Sequence, residues 1–252
     1  MVVEINGIEM SWAVAGEGEP LLWLHGAMGS GPDWRYIFNE PPAGYQIIAP
    51  DLRGHGESTN PEGKFTFRQA AADVLALLRH LKLSKVKALG LSGGGITLLH
   101  MATIEADAIS AMVVVSAPPY FPAEARGFMK QFSEASLGAA EMERMRQRHT
   151  RGDAQLQQLF AMARGFADSY DDVSFTQPHL AKIDAETLIV FGDRDPLYPV
   201  SLAFDLYRAI PKAYLWVVPN GGHGPIFGDA AAPFSATVLR FLSGAWRAQP
   251  RA

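Results

Sequence analysis

The chemistry in this sequence starts at Gly90-Leu91-Ser92-Gly93-Gly94, which stands between an apolar run and a helical pattern. A serine placed on a sharp strand-to-helix turn projects its hydroxyl above a sheet. The crowding of such a turn demands small residues two positions to either side. Gly90 and Gly94 supply them. The turn could instead be a phosphate cradle, but neither the G-x-G-x-x-G register nor a Lys-Ser/Thr pair accompanies it. A serine hydroxyl attacks a carbonyl only when a base removes its proton and a carboxylate orients that base. Of the seven histidines, His223 lies in Asn220-Gly221-Gly222-His223-Gly224-Pro225, where little side-chain bulk hinders its reach. His25 and His55, in glycine-rich turns, are its competitors. His80 and His100 fall on helical patterns and suit packing or surface roles. His149 and His179 read as surface residues, with substrate contact as the alternative. For the carboxylate, Asp193 and Asp195 in Gly192-Asp193-Arg194-Asp195-Pro196 are both within reach, and spacing does not choose between them.

Such residues need a rigid frame. Runs at 21–25, 46–50, 86–91, 111–115, 187–191 and 214–218 are almost continuously apolar, as strands buried on both faces of a parallel sheet must be. Helical patterns at 67–81, 94–105, 200–209 and 230–244 alternate with them, which predicts an α/β fold. Segments 2–5 and 9–15 flank Asn6-Gly7, a hairpin signal, so the sheet should open with an antiparallel edge. Strand character disappears between about Pro118 and Ala185. There Phe128 and Phe132, Met142 and Met145, and Leu156, Leu159, Phe160 and Ala163 recur at helical spacing. The expected organisation is a core of 1–117 and 186–252, with about eight mostly parallel strands flanked by helices. Residues 118–185 form a small helical lid over the sheet edge where open α/β sheets bind ligands.

Composition excludes several classes. Hydrophobic residues make up 48% and charged residues 19% of the 252 positions, a globular balance. The net charge of −4 gives no basic surplus for nucleic acid. There is no cysteine, so disulfides and thiolate metal sites are out. No run approaches the ~18 apolar residues of a membrane span, and the first residues lack a secretory signal. A cytoplasmic protein acting on a small molecule is expected, with no membrane partner. The last six residues read as a frayed tail.

Taken together, His25-Gly26-Ala27-Met28-Gly29, Asp51-Leu52-Arg53-Gly54-His55-Gly56-Glu57-Ser58, the serine turn, Gly192-Asp193-Arg194-Asp195-Pro196-Leu197-Tyr198-Pro199 and Gly222-His223 resemble the α/β-hydrolase fold family, in its serine esterase and lactonase-like branch. The order Ser, Asp, His is that family's order. The resemblance implies a Ser92, Asp195, His223 triad, with Asp195 selected by its place three positions after the strand-end glycine. It implies an oxyanion hole of the Ala27 and Gly93 backbone N–H groups, a structural role for the loop of Arg53, His55 and Ser58, and no metal or organic cofactor. The chain departs from the common pattern at Gly93, usually bulkier, and at Leu91, often His. A serine rather than an aspartate at 92 argues against halide- and epoxide-opening chemistry.

The expected activity is therefore ester hydrolysis through an acyl-enzyme. A lactonase or carbon–carbon bond hydrolase with the same triad is the nearest alternative, and a slow-turnover binding protein of the same fold is the alternative of another class. Met28, Phe121, Phe166 and Leu197 are candidates for an apolar substrate pocket. The run Arg144, Arg146, Arg148 and Arg151 reads either as a solvated helix face or as an anchor for an acidic group.

Overall fold

The computed structural model describes residues 1–248; the frayed tail expected at the C-terminus lies largely outside the described residues. Eight strands form one sheet: β1 (Val2–Ile5), β2 (Ile8–Gly16), β3 (Glu19–Leu24), β4 (Tyr45–Pro50), β5 (Val86–Leu91), β6 (Ile109–Val115), β7 (Glu186–Gly192) and β8 (Ala213–Val218). Their order is β1-β2-β4-β3-β5-β6-β7-β8. β1 pairs antiparallel with β2, and β2 antiparallel with β4; every later pairing is parallel. Asn6 and Gly7 take φ of 47° and 76° in the β1–β2 turn. Asparagine and glycine are the residues for which that left-handed backbone is least costly.

The apolar runs alternate across the sheet. Leu22, Leu24, Met112 and Val114 enter a core on one face, while Leu21, Trp23, Val113 and Val115 enter a second core on the other. Both faces are covered because every inward and outward position of the central strands must leave water. On the first face lie α1 (Phe67–His80), α2 (Gly93–Ile104) and α7 (Val200–Ala209). α8 (Ala231–Leu242) closes the second with Phe234, Val238 and Phe241. Residues 93–102 of α2 are all buried, so this helix is apolar all round rather than amphipathic. β8 differs from the expected buried run: all six residues are only half-buried, because it ends the sheet.

Between β6 and β7 the chain forms α3 (Ala123–Gln131), α4 (Ala139–Arg148), α5 (Asp153–Gly165) and the short α6 (Gln177–Leu180). Met142, Met145, Leu156, Leu159 and Phe160 make a small separate core there, with Phe132 packed against it. Phe128 does not share it and is 53% exposed. Arg126 organises the inner side of this segment. Its guanidinium is buried and donates to the carbonyls of Phe121, Phe166, Ala167 and Ser169 at 2.7 to 3.2 Å, with Tyr170 stacked at 3.9 Å.

Candidate active site

Ser92 sits between the last residue of β5 and the first of α2, with φ 51° and ψ −114°. A side chain in that region stores roughly 1–3 kcal/mol of strain, which surrounding structure must hold. The Ser92 N–H donates to Val115 O at 2.7 Å, and its carbonyl accepts from Ile96 N at 2.9 Å. The turn also depends on close backbone approach. A Cβ at Gly94 would stand 2.1 Å from Leu24 O, and one at Gly90 would stand 2.6 Å from the Gly94 backbone. No side chain fits at either position.

The β8–α8 loop brings His223 to this turn. Its Nε2 lies 2.9 Å from Ser92 Oγ, and its Nδ1 lies 2.9 Å from Asp195 Oδ2. Asp195 follows β7; its other oxygen accepts from the N–H groups of Leu197 and Tyr198 at 2.8 and 3.1 Å. That leaves the carboxylate with no exposure, while the His223 side chain remains 29% exposed. Asp193, the other candidate, is exposed and points toward Arg194. The fold therefore joins Ser92, His223 and Asp195 in one hydrogen-bonded line, and leaves Asp193 out. The Tyr198 ring contacts the His223 ring edge-on at 5.2 Å. Burial raises the phenol pKa, so Tyr198 stays neutral beside Asp195.

Gly26 to Gly29 make a turn closed by Gly29 N–H to Gly26 O at 3.0 Å. The turn runs beside the serine: a Cβ on Gly93 would lie 3.3 Å from Ala27 N and 3.0 Å from the Phe67 ring. Gly93 is the first residue of α2, so its N–H has no acceptor within the helix. The Ala27 N–H likewise has no hydrogen-bond partner among the described residues. Two free donors thus stand together next to Ser92. The departure at Gly93 has its reason here, since the edge of Phe67 fills the space a larger side chain would need.

A cavity of about 330 Å³ opens on Ser92 and His223. Met28, Phe121, Phe166 and Leu197 all line it, as do Phe67 and Tyr198, which the sequence did not single out. Phe67 belongs to no motif that would have marked it; Tyr198 lies in the segment 192–199, where the aspartates are the candidate groups. Its lining carries no carboxylate, ammonium or guanidinium. Ala27 and Met28 also border a wider, open groove of about 1270 Å³ that reaches Arg35, Glu40, Glu141, Arg144 and Arg148.

The remaining histidines separate clearly. His25 is fully buried; its Nδ1–H donates to Gly26 O at 2.8 Å and its Nε2 accepts from Leu52 N at 3.0 Å. His55 packs against it at 5.0 Å between ring centres, and its Nε2 has no partner among the described residues. Neither reaches Ser92. His149 corrects the sequence reading: it is 1% exposed, not a surface residue. Its Nδ1 accepts from Gly56 N at 2.9 Å and its Nε2–H donates to Met28 O at 3.2 Å. Burial pushes all three imidazoles down to about 3, so they are neutral structural groups at ordinary pH. His179 is exposed, as expected, and His100 is buried against Asp172.

The basic run is engaged internally. Arg144 pairs with Glu141 at 2.8 Å, and Arg146 lies 3.8 and 3.6 Å from Glu134 and Asp153. Arg148 pairs with Asp33 at 3.3 Å and donates to Met28 O. Arg151 donates to Glu57 O at 2.9 Å and reaches Glu9. Gln155 Nε2 adds bonds to Gly54 O and Gly56 O at 3.0 and 2.9 Å. The run ties the β6–β7 segment to the loops after β3 and β4. Among the described residues, no group of three or more His, Asp or Glu side chains could hold a metal ion, and no helix is long and apolar enough to cross a membrane.

Comparison with known proteins agrees with this architecture. The α/β-hydrolase fold model matches residues 19–139. An AB hydrolase superfamily protein of Bacillus subtilis is 29% identical over 236 residues, covering 85% of this chain and 88% of its own. The pimeloyl-[acyl-carrier protein] methyl ester esterase of Vibrio vulnificus is 25% identical, covering 92% and 98%. Among solved structures, a meta-cleavage product hydrolase from Pseudomonas fluorescens superposes with a TM-score of 0.78 at 21% identity, over 97% of this chain and 98% of that one. With the serine turn, the eight-stranded sheet and these matches in agreement, the chain has the α/β-hydrolase fold.

Proposed function

We propose that this hydrolase cleaves carboxylic esters by acyl transfer through Ser92. The observation that carries the reading is the line Ser92 Oγ, His223 Nε2, His223 Nδ1, Asp195 Oδ2, with 2.9 Å at each hydrogen bond. His223 takes the serine proton as Oγ attacks the carbonyl carbon. Asp195, held by two backbone N–H groups, fixes the imidazole tautomer and stabilises the imidazolium. The carbonyl oxygen becomes an oxyanion between the Ala27 and Gly93 N–H groups, each such donor contributing roughly 3 kcal/mol to the barrier reduction. His223 then protonates the departing alkoxide. Water, deprotonated by the same imidazole, releases the acid and restores Ser92.

The uncharged cavity next to Ser92 supports an apolar acyl group of modest size, about the lower end of small-molecule pockets. The open groove on the other side of Ala27 and Met28 supports an alcohol portion that extends into solvent. We read residues 118–185 as a cap that supplies Phe121 and Phe166 to the cavity. The named methyl ester esterase relative is in keeping with ester chemistry.

The test is steady-state turnover of p-nitrophenyl esters of graded acyl length, with lactones and acidic methyl esters in the same panel. Sustained release of p-nitrophenol, falling by about 10⁶ in Ser92→Ala, is the expected result. One stoichiometric burst followed by silence would favour a binding protein. Turnover surviving in Ser92→Ala would remove the serine from its role.

A further inference from the structure

The cap reaches past the pocket to the turn that carries Ala27. Met28 is a non-glycine residue with φ of 65°, the left-handed backbone that glycine adopts most readily. Two groups of the cap hold it there. Its side chain packs against the cluster of Met142, Met145, Leu156 and Phe160. Its carbonyl accepts from His149 Nε2–H at 3.2 Å and from Arg148 Nη1 at 3.3 Å. His149 is itself fixed, because its Nδ1 accepts from Gly56 N at 2.9 Å. At the other end of the same turn His25 Nδ1–H holds Gly26 O at 2.8 Å. The turn is therefore bracketed by two imidazoles, one from the core and one from the cap.

We infer that His149, assisted by Arg148, is a positioning residue that aims the Ala27 N–H at the reacting carbonyl by fixing the Met28 carbonyl and its strained backbone. This rests on reading Ala27 as an oxyanion donor. The physical basis is that a donor displaced by about 1 Å loses most of its effect on the transition state while ground-state binding changes little. A Met28 released from the cap would relax toward negative φ and rotate the adjoining peptide. The cap thereby contributes to catalysis without touching substrate at this point.

Three variants test this. His149→Ala should lower kcat by about 10- to 100-fold with KM changed by less than about threefold. His149→Gln, which can keep a donor toward Met28 O, should recover most of that loss. Arg148→Met, which also removes the ion pair to Asp33, should cost kcat about threefold, consistent with loss of the longer of the two bonds. A crystal structure of His149→Ala, or of Arg148→Met if the former does not fold, should show the Met28 carbonyl reoriented. An unchanged kcat in both, or a Met28 peptide that stays in place, overturns the inference. If the wild-type protein turns over no ester, the proposed function fails, and the Met28 geometry in the variant crystals alone decides this inference.

Discussion

The sheet rim and the β6–β7 segment both carry polar side chains, yet they use them in opposite ways. At the rim, Ser92 Oγ, the exposed part of His223 and the N–H groups of Ala27 and Gly93 converge on an apolar cavity with hydrogen-bonding capacity to spare. In the segment, Arg126 spends its guanidinium on four carbonyls of its own region, and Arg148, His149, Arg151 and Gln155 bond the core loops. Hydrogen-bonding capacity is left free where the cavity opens, and these buried side chains of the segment are satisfied by the protein, because burying them unpaired costs free energy.

The sharpest way to break this contrast is at the rim. Asp195→Asn should reduce kcat by about 10⁴, while Asp193→Asn should change it by less than about twofold; the opposite ranking in steady-state assays would mean that the observed line is not the reacting one. Next in size, Arg126→Met should destabilise the protein by about 2–5 kcal/mol in urea unfolding, since several buried carbonyls lose their donor together. KM for longer acyl esters should rise as Phe121 and Phe166 lose their shared tether. A stable variant with unaltered KM would show that Arg126 does not organise the pocket wall.

A smaller effect comes from the buried histidines. His25, His55 and His149 are held neutral down to about pH 3, whereas in the unfolded chain they protonate near ~6.5. Between those values the unfolded state binds more protons, so stability is present above about pH 6.5 and is lost as pH falls. Each such histidine contributes up to about 1.4 kcal/mol per pH unit to that slope. Replacing His149 by Gln should flatten the melting-temperature profile between pH 4 and 6; an unchanged slope would mean that His149 already titrates normally. The smallest effect is expected for Arg146→Gln, whose ion pairs are half-exposed: less than about 0.5 kcal/mol, checked by the same unfolding curves.

Legibility in the sequence followed the range of the constraint. The strand at 86–91 and the helix at 200–209 were readable because apolar periodicity acts over a few residues, and both have the expected bounds. Gly90 and Gly94 were readable because the elbow leaves no room for a Cβ. Choosing Asp195 over Asp193 needed the family resemblance; the strand and its turn admit either. His149 was misplaced on the surface because its neighbours Gly56 and Met28 lie 93 and 121 positions away, and nothing local to Arg148-His149-Thr150 records them. Of the arginine run, Arg144 and Arg146 stay on a half-exposed helix face, as one reading had it, whereas the tethering roles of Arg148 and Arg151 were illegible for the same reason: Asp33 and Glu57 O are distant along the chain.

By itself the sequence determined the order of strands and helices, the serine turn and the candidate acid and base, because local sterics and hydrophobic patterning act between near neighbours. Only the tertiary structure decided that Asp195 meets His223, that Phe67 occupies the space left by Gly93, and that the helical segment grips Met28. Those facts depend on contacts closed over long loops, where the bonding partner of a polar atom is set by which surfaces the packed cores bring together.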